Sequence, residues 1–90
     1  MTVSRNDELS RYEGRAEDGI VSVMDYHRHG DVLTIIHTGT VPASRGRGMA
    51  GELTEQAMAD IRARGWRVHP VCPFTVEYLD DHPEYDDLRV

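Results

Sequence analysis

Two side chains and one glycine-rich stretch carry most of the reactive chemistry in this sequence. His37 stands near the end of the apolar run VLTIIHTGTV, where a neutral imidazole accepts a proton near neutral pH. Cys72, the single cysteine, directly precedes Pro73 and the start of a short helical pattern, PFTVEYLDD. A helix N-terminus favours the thiolate, so Cys72 is readable as a nucleophile, as an acid, or as a small packed group. Between them runs Arg45-Gly46-Arg47-Gly48, directly ahead of a longer helical pattern. Backbone amides at a helix N-terminus, opened by glycine and flanked by arginine, form a site for a phosphorylated ligand.

The remaining titratable groups have simpler readings. His27 and His29 flank a turn, His69 faces opposite to Cys72 on its strand, and His82 precedes a proline. Their spacing matches no standard zinc site and one cysteine is too few for the common structural ones, so no metal is expected. The acidic run Asp80-Asp81, Glu84, Asp86-Asp87 reads as solvated surface or as an attractor of a cationic amine.

The elements that position these residues follow from periodicity. Residues 1–7 are polar and expected to fray, and 8–15 form a weak strand around Leu9 and Tyr12. Glu17-Asp18-Gly19 reads as a turn, IVSVMDY as a strand, and Arg28-His29-Gly30-Asp31 as a hairpin turn. In the apolar strand Val32 to Val41, strict alternation puts Leu33, Ile35 and His37 on one face, with Gly39 marking a bulge or a close backbone approach. Ala50, Leu53, Ala57, Met58 and Ile61 recur at helical spacing, with Glu52, Gln56, Asp60 and Arg64 outside and Gly65 as the stop. A strand over 66–72 follows, and its Pro70 should face an edge or a gap in the sheet. The tail packs through Tyr85 and Leu88. The pattern is β-β-β-α-β-α, one α/β domain over residues 1–90 with its ordered core at about 8–88.

Composition narrows the partners. At 90 residues and a formal net charge of −6, neither nucleic acid nor an anionic membrane is expected as the main partner. All ten basic residues are arginine, so no lysine side chain is available for self-modification or a Schiff base. One cysteine, a polar N-terminus without an apolar h-region and no long apolar run lead us to expect a cytoplasmic protein without a signal peptide.

The ligand is decided by spacing. Gly46-Arg47-Gly48-Met49-Ala50-Gly51 matches G-x-G-x-x-G, but the following strand ends in Val71-Cys72-Pro73, without the acidic residue that would hold a ribose. A Walker A site is excluded because no Gly-Lys-Ser/Thr occurs. The same residues also read as R-x-x-G-x-A, formed by Arg45, Gly48 and Ala50. In this motif, and in HTGTVPASRGRGMAGEL and CPFTVEYLDDHPEY, the chain resembles the very small, single-domain GNAT-like N-acetyltransferases, over about residues 8–88.

That resemblance implies a minimal GNAT fold of the α/β (α+β) class: a mixed, mostly antiparallel sheet with one splayed parallel strand pair and two helices. It implies acetyl-CoA as cosubstrate. Thr38, Thr40 and Val41 would lie along the pantetheine arm, and Arg45, Gly46, Arg47, Gly48, Met49 and Ala50 at the pyrophosphate. It places His37 as a base for the attacking amine, Cys72 at the thioester, and Tyr78 as a proton donor to the departing thiolate. The acceptor is an amine on a small molecule, protein or peptide. Its pocket is incomplete in so short a chain and would be completed by a second subunit or by the substrate. The alternative is a non-catalytic CoA-binding or interaction module on the same fold.

Overall fold

The computed structural model describes residues 1–17 and 19–90. Five strands form one sheet in sequence order: β1 (Thr2–Asn6), β2 (Arg11–Ala16), β3 (Gly19–His29), β4 (Val32–Thr40) and β5 (Arg67–Pro70). The first three pairings are antiparallel, and β4 and β5 run parallel. A 15-residue helix, α1 (Met49–Ala63), joins β4 to β5, and α2 (Pro73–Asp80) follows β5. The mixed sheet, the parallel pair and the two helices agree with the expected fold. Asp18, in the expected turn at 17–19, lies outside the described residues.

Residues 2–6 are not frayed. They form β1, paired with β2 from Thr2↔Arg15 to Asn6↔Arg11. What ties this polar strand down is Asp60, on the α1 face expected to be solvated. Its carboxylate accepts from Tyr12 Oη at 2.7 Å on β2 and from the Arg5 guanidinium on β1. Burial pushes the Asp60 carboxyl up, and the hydrogen bonds from Tyr12 and Arg5 outweigh it, leaving the group below its ordinary value. Arg5 also stacks on Trp66, 4.8 Å from the ring centre, so one side chain spans the first strand, the helix and the residue that leads into β5.

The core lies between the sheet and the helices. Leu53, Ala57, Met58 and Ile61 of α1 are fully buried against Tyr12, Met24, Leu33, Ile35 and Val68. Each large aliphatic side chain buried this way contributes about 1.5–3 kcal/mol. Leu79 of α2 joins the same cluster, as does Leu88 of the tail; Tyr85 packs against its margin. The tail also lengthens the sheet edge, with Val90 N–H donating to Val68 O at 2.8 Å. Among the described residues, both helices therefore pack on one face. The other face, carrying Val23, Asp25 and His37, has no helix over it.

A bulge in β4 decides what reaches each face. Tyr26 pairs with Ile35 but Asp25 pairs with His37, which leaves Ile36 as the extra residue. The bulge is thus at Ile36 rather than Gly39, and it reverses the alternation behind it. Leu33 and Ile35 point into the core, as expected. His37 does not share their face: it turns to the helix-free side, with 61% of its side chain exposed. Thr38 and Thr40 take the helix side instead, where Thr38 Oγ1 lies 3.4 Å from Thr75 Oγ1 of α2 and Thr40 Oγ1 lies 3.2 Å from Ser22 Oγ.

Candidate active site: a split sheet edge

β5 accompanies β4 only from Val32 to Ile35 and stops at Pro70. The amides of Val71 and Cys72 both donate to Ile35 O at 2.9 Å, and the chain then turns away into α2. Pro70 has no N–H to continue the ladder, and Pro73 fits the first helical position, so two prolines three residues apart part the strands here. From Ile36 to Thr40 this edge of β4 has no strand partner among the described residues. Gly39 O faces β3, where Ser22 Oγ donates to it at 3.1 Å; by alternation Thr38 and Thr40 turn their N–H and C=O groups to the open edge. An extended ligand laid there gains strand-like hydrogen bonds.

The open edge leads to the N-terminus of α1. Pro42–Ser44 forms a single 3₁₀ turn, and Arg45 Nε folds back to Thr40 O at 3.1 Å. Gly46 (φ 81°) and Gly48 (φ 72°) are both left-handed, a conformation glycine adopts without strain. The first backbone amide to find a helical acceptor is that of Glu52, on Gly48 O at 3.0 Å, so the amides of the preceding turn are free to face a ligand. Thr38, Gly39, Thr40, Ser44, Arg45, Gly46, Gly48, Met49, Ala50, Gly51 and Phe74 enclose a cleft of about 360 Å³. Its shape and donors suit an extended arm ending in a phosphate group.

Cys72 is buried where the strands part. Burial pushes its thiol up, but the nearby amides of Thr75 and Phe74 and the nearby hydroxyls of Thr38 and Thr75 favour the thiolate more, and the result lies below its ordinary value. On the helix-free side, His37 Nδ1 is 3.0 Å from Asp25 Oδ2. His37 lines a second hollow, of about 290 Å³, with Ile20, Val21, Ser22, Val23, Gly39, Thr40, Val41 and Arg45. Gly39, Thr40 and Arg45 border both spaces, so the two meet across one stretch of β4 and its following loop.

The expected cofactor residues therefore divide. Thr38, Thr40, Arg45, Gly46, Gly48, Met49 and Ala50 share the cleft, while Val41 lies in the hollow on the opposite face and the exposed Arg47 is outside both linings. Tyr78 is also outside. Its ring stacks on His82 at 3.9 Å and lines a surface groove with Phe74, Glu77 and Asp81. Burial, with Tyr85 and Glu55 nearby, pushes its hydroxyl up to about 12. Asp25, Phe74 and Thr75 were not singled out from the sequence. Asp25 had one usable signal, a carboxylate inside the apolar strand IVSVMDY.

The profile for GCN5-related N-acetyl-transferases matches residues 11–88, and the chain belongs to that family. Among solved structures, the NMR structure of a GCN5-like protein from Staphylococcus aureus is similar over 99% of this chain and 87% of its own, with a TM-score of 0.71 at 17% identity. The ribosomal-protein-S18-alanine N-acetyltransferase of Escherichia coli matches 71% of this chain with a TM-score of 0.61 at 12% identity; the match covers 42% of that enzyme. No curated protein sequence matches the chain.

Proposed function

We propose that the protein is an acetyl-CoA-dependent N-acetyltransferase that transfers the acetyl group to an amine by direct attack. The observation that carries this reading is the unpaired β4 edge, which runs from the parting point at Ile35 to the free amides before α1. Thr38 and Thr40 would hold the pantetheine arm along that edge. The amides of Gly46 to Ala50, with the Arg45 and Arg47 guanidinium groups, would hold the pyrophosphate. Acetyl-CoA supplies the activated acyl group; the protein supplies alignment and a place for one proton.

The parting point is where the thioester belongs in this reading. Cys72, Thr38 and Thr75 meet it from the helix side, and His37 stands on the side where the sheet is bare. A neutral imidazole there takes the proton that the amine loses as the amide bond forms. In this reading the departing thiolate takes its proton from solvent, because Tyr78 borders the cleft only beside Gly51 and its ring is stacked on His82.

A second reading, CoA binding without turnover, is favoured by one feature: the hollow beside His37 is shallow and covered by no helix. Calorimetry with CoA and acetyl-CoA, followed by CoA release on a panel of monoamines, polyamines, aminoglycosides and peptides, separates them. Absence of binding at millimolar ligand overturns both; binding without release on any amine leaves the second.

A further inference from the structure

We infer that the hollow on the helix-free face is the acceptor site for a primary amine carried on an apolar group, and that Asp25 and Gly39 position His37 within it. This rests on the acetyl-transfer reading above. The bulge at Ile36 is the first requirement: without the extra residue His37 would follow Leu33 and Ile35 into the core. With it, the imidazole emerges opposite Asp25, and the 3.0 Å contact fixes Nδ1 as the donor to the carboxylate. The lone pair is then left on Nε2. Gly39 is the second requirement. A β-carbon at that position would stand 2.9 Å from His37 Cε1 and 3.3 Å from Nε2, so the ring occupies space that any other residue would fill. The ring therefore lies over the stretch of β4 that the hollow shares with the cofactor cleft.

The lining selects the amine. Ile20, Val21, Val23 and Val41 supply apolar walls, Arg45 is the charged group among them, and the nearby carboxylate of Asp25 is engaged by His37. A second ammonium group would meet a cation and, among the described residues that line the hollow, no free anion, so polyamines and basic peptides fit less well than an apolar monoamine. In the reaction, the neutral amine nitrogen forms the bond to the acetyl carbonyl carbon and the carbon–sulfur bond breaks. Its electron pair leaves on the CoA sulfur, and the nitrogen's proton passes to His37 Nε2 and on to solvent, which protonates the thiolate.

Asp25→Ala and Gly39→Ala test the assignment with two readouts. Both sites lie at the sheet surface, and the exposed imidazole can swing away from a new methyl group, so both variants should fold; thermal melts check this. With phenethylamine as acceptor, kcat should fall tenfold or more in each, toward the 10²–10⁴-fold that a positioned base supplies, while the CoA Kd of Asp25→Ala, whose side chain lies outside the cleft, stays within about twofold of wild type. Independently of turnover, long-range ¹H–¹⁵N spectra of the resting protein should show His37 as the Nδ1–H tautomer in wild type and as a mixture in both variants. Wild-type kcat in the variants, an Nε2–H tautomer in wild type, or spermidine outperforming phenethylamine overturns the proposal. If no amine releases CoA from wild-type protein, the acetyl-transfer reading fails and the acceptor assignment falls with it; the spectra still decide whether Asp25 and Gly39 hold the ring.

Discussion

Gly48 and Gly65 form a matched pair, one at each end of α1. Both have φ 72°, and a β-carbon added to either meets nothing within 4 Å. Alanine at either position therefore carries a backbone cost and no packing cost. The left-handed conformation costs an L-residue about 1–2 kcal/mol, partly offset by about 0.4–1 kcal/mol from a less flexible unfolded chain. A net loss of about 1 kcal/mol lowers the Tm of a domain this size by about 4–8 °C. Gly48→Ala and Gly65→Ala should lose similar amounts by that measure. They should differ in CoA binding, because Gly48 lines the cleft and Gly65 does not. Losing one hydrogen bond to a charged phosphate, about 1.5–3 kcal/mol, weakens the Kd roughly ten- to a hundredfold. Calorimetry with CoA on both proteins gives the comparison. If Gly48→Ala binds CoA as wild type does, or if Gly65→Ala loses as much affinity, the phosphate does not sit on these amides.

Asp60→Ala removes the shared partner of Tyr12 and Arg5 and should cost about 2–4 kcal/mol, read by urea denaturation. Because the folded carboxyl is held below its ordinary value, the stability it adds is present above about pH 4 and is lost as pH falls through the lower folded value; the variant should show a flatter acid limb than wild type. Cys72→Ala should keep measurable turnover, and intact-mass spectra of wild type after acetyl-CoA incubation should show no acetyl adduct on Cys72; a stable adduct that an amine discharges would replace direct attack with a covalent route. Tyr78→Phe keeps the ring stack on His82 and should leave kcat within about threefold, whereas a loss of tenfold or more would restore Tyr78 as the proton donor.

Local signals gave the elements, and tertiary pairing gave the faces. The stripe Leu53, Ala57, Met58 and Ile61 is visible because helical spacing is a one-dimensional property, and Pro70 and Pro73 mark the parting of the sheet because proline removes a donor wherever it stands. β1 was not legible: Thr2–Asn6 is polar, and its anchor, Asp60, lies more than fifty residues along the chain. The side of the sheet on which His37 emerges was not legible either. It depends on one unpaired residue, Ile36, whose apolar side chain gives no sign of a bulge, and alternation carried past that point assigns every later residue to the wrong face. Phe74 was hidden for a different reason. Its place at the cleft follows from how α2 turns away from β5, which no spacing encodes.

The central claim is that CoA lies along the split edge of β4 and ends on the amides before α1. Titrating ¹⁵N-labelled protein with CoA and following the amide resonances tests it residue by residue. The account predicts saturable shifts at Thr38, Thr40 and Gly46 to Gly51, with Phe74 responding from across the cleft and β1 unchanged. No shift at millimolar CoA, or shifts confined to the groove of Glu77, Tyr78 and Asp81, would contradict it.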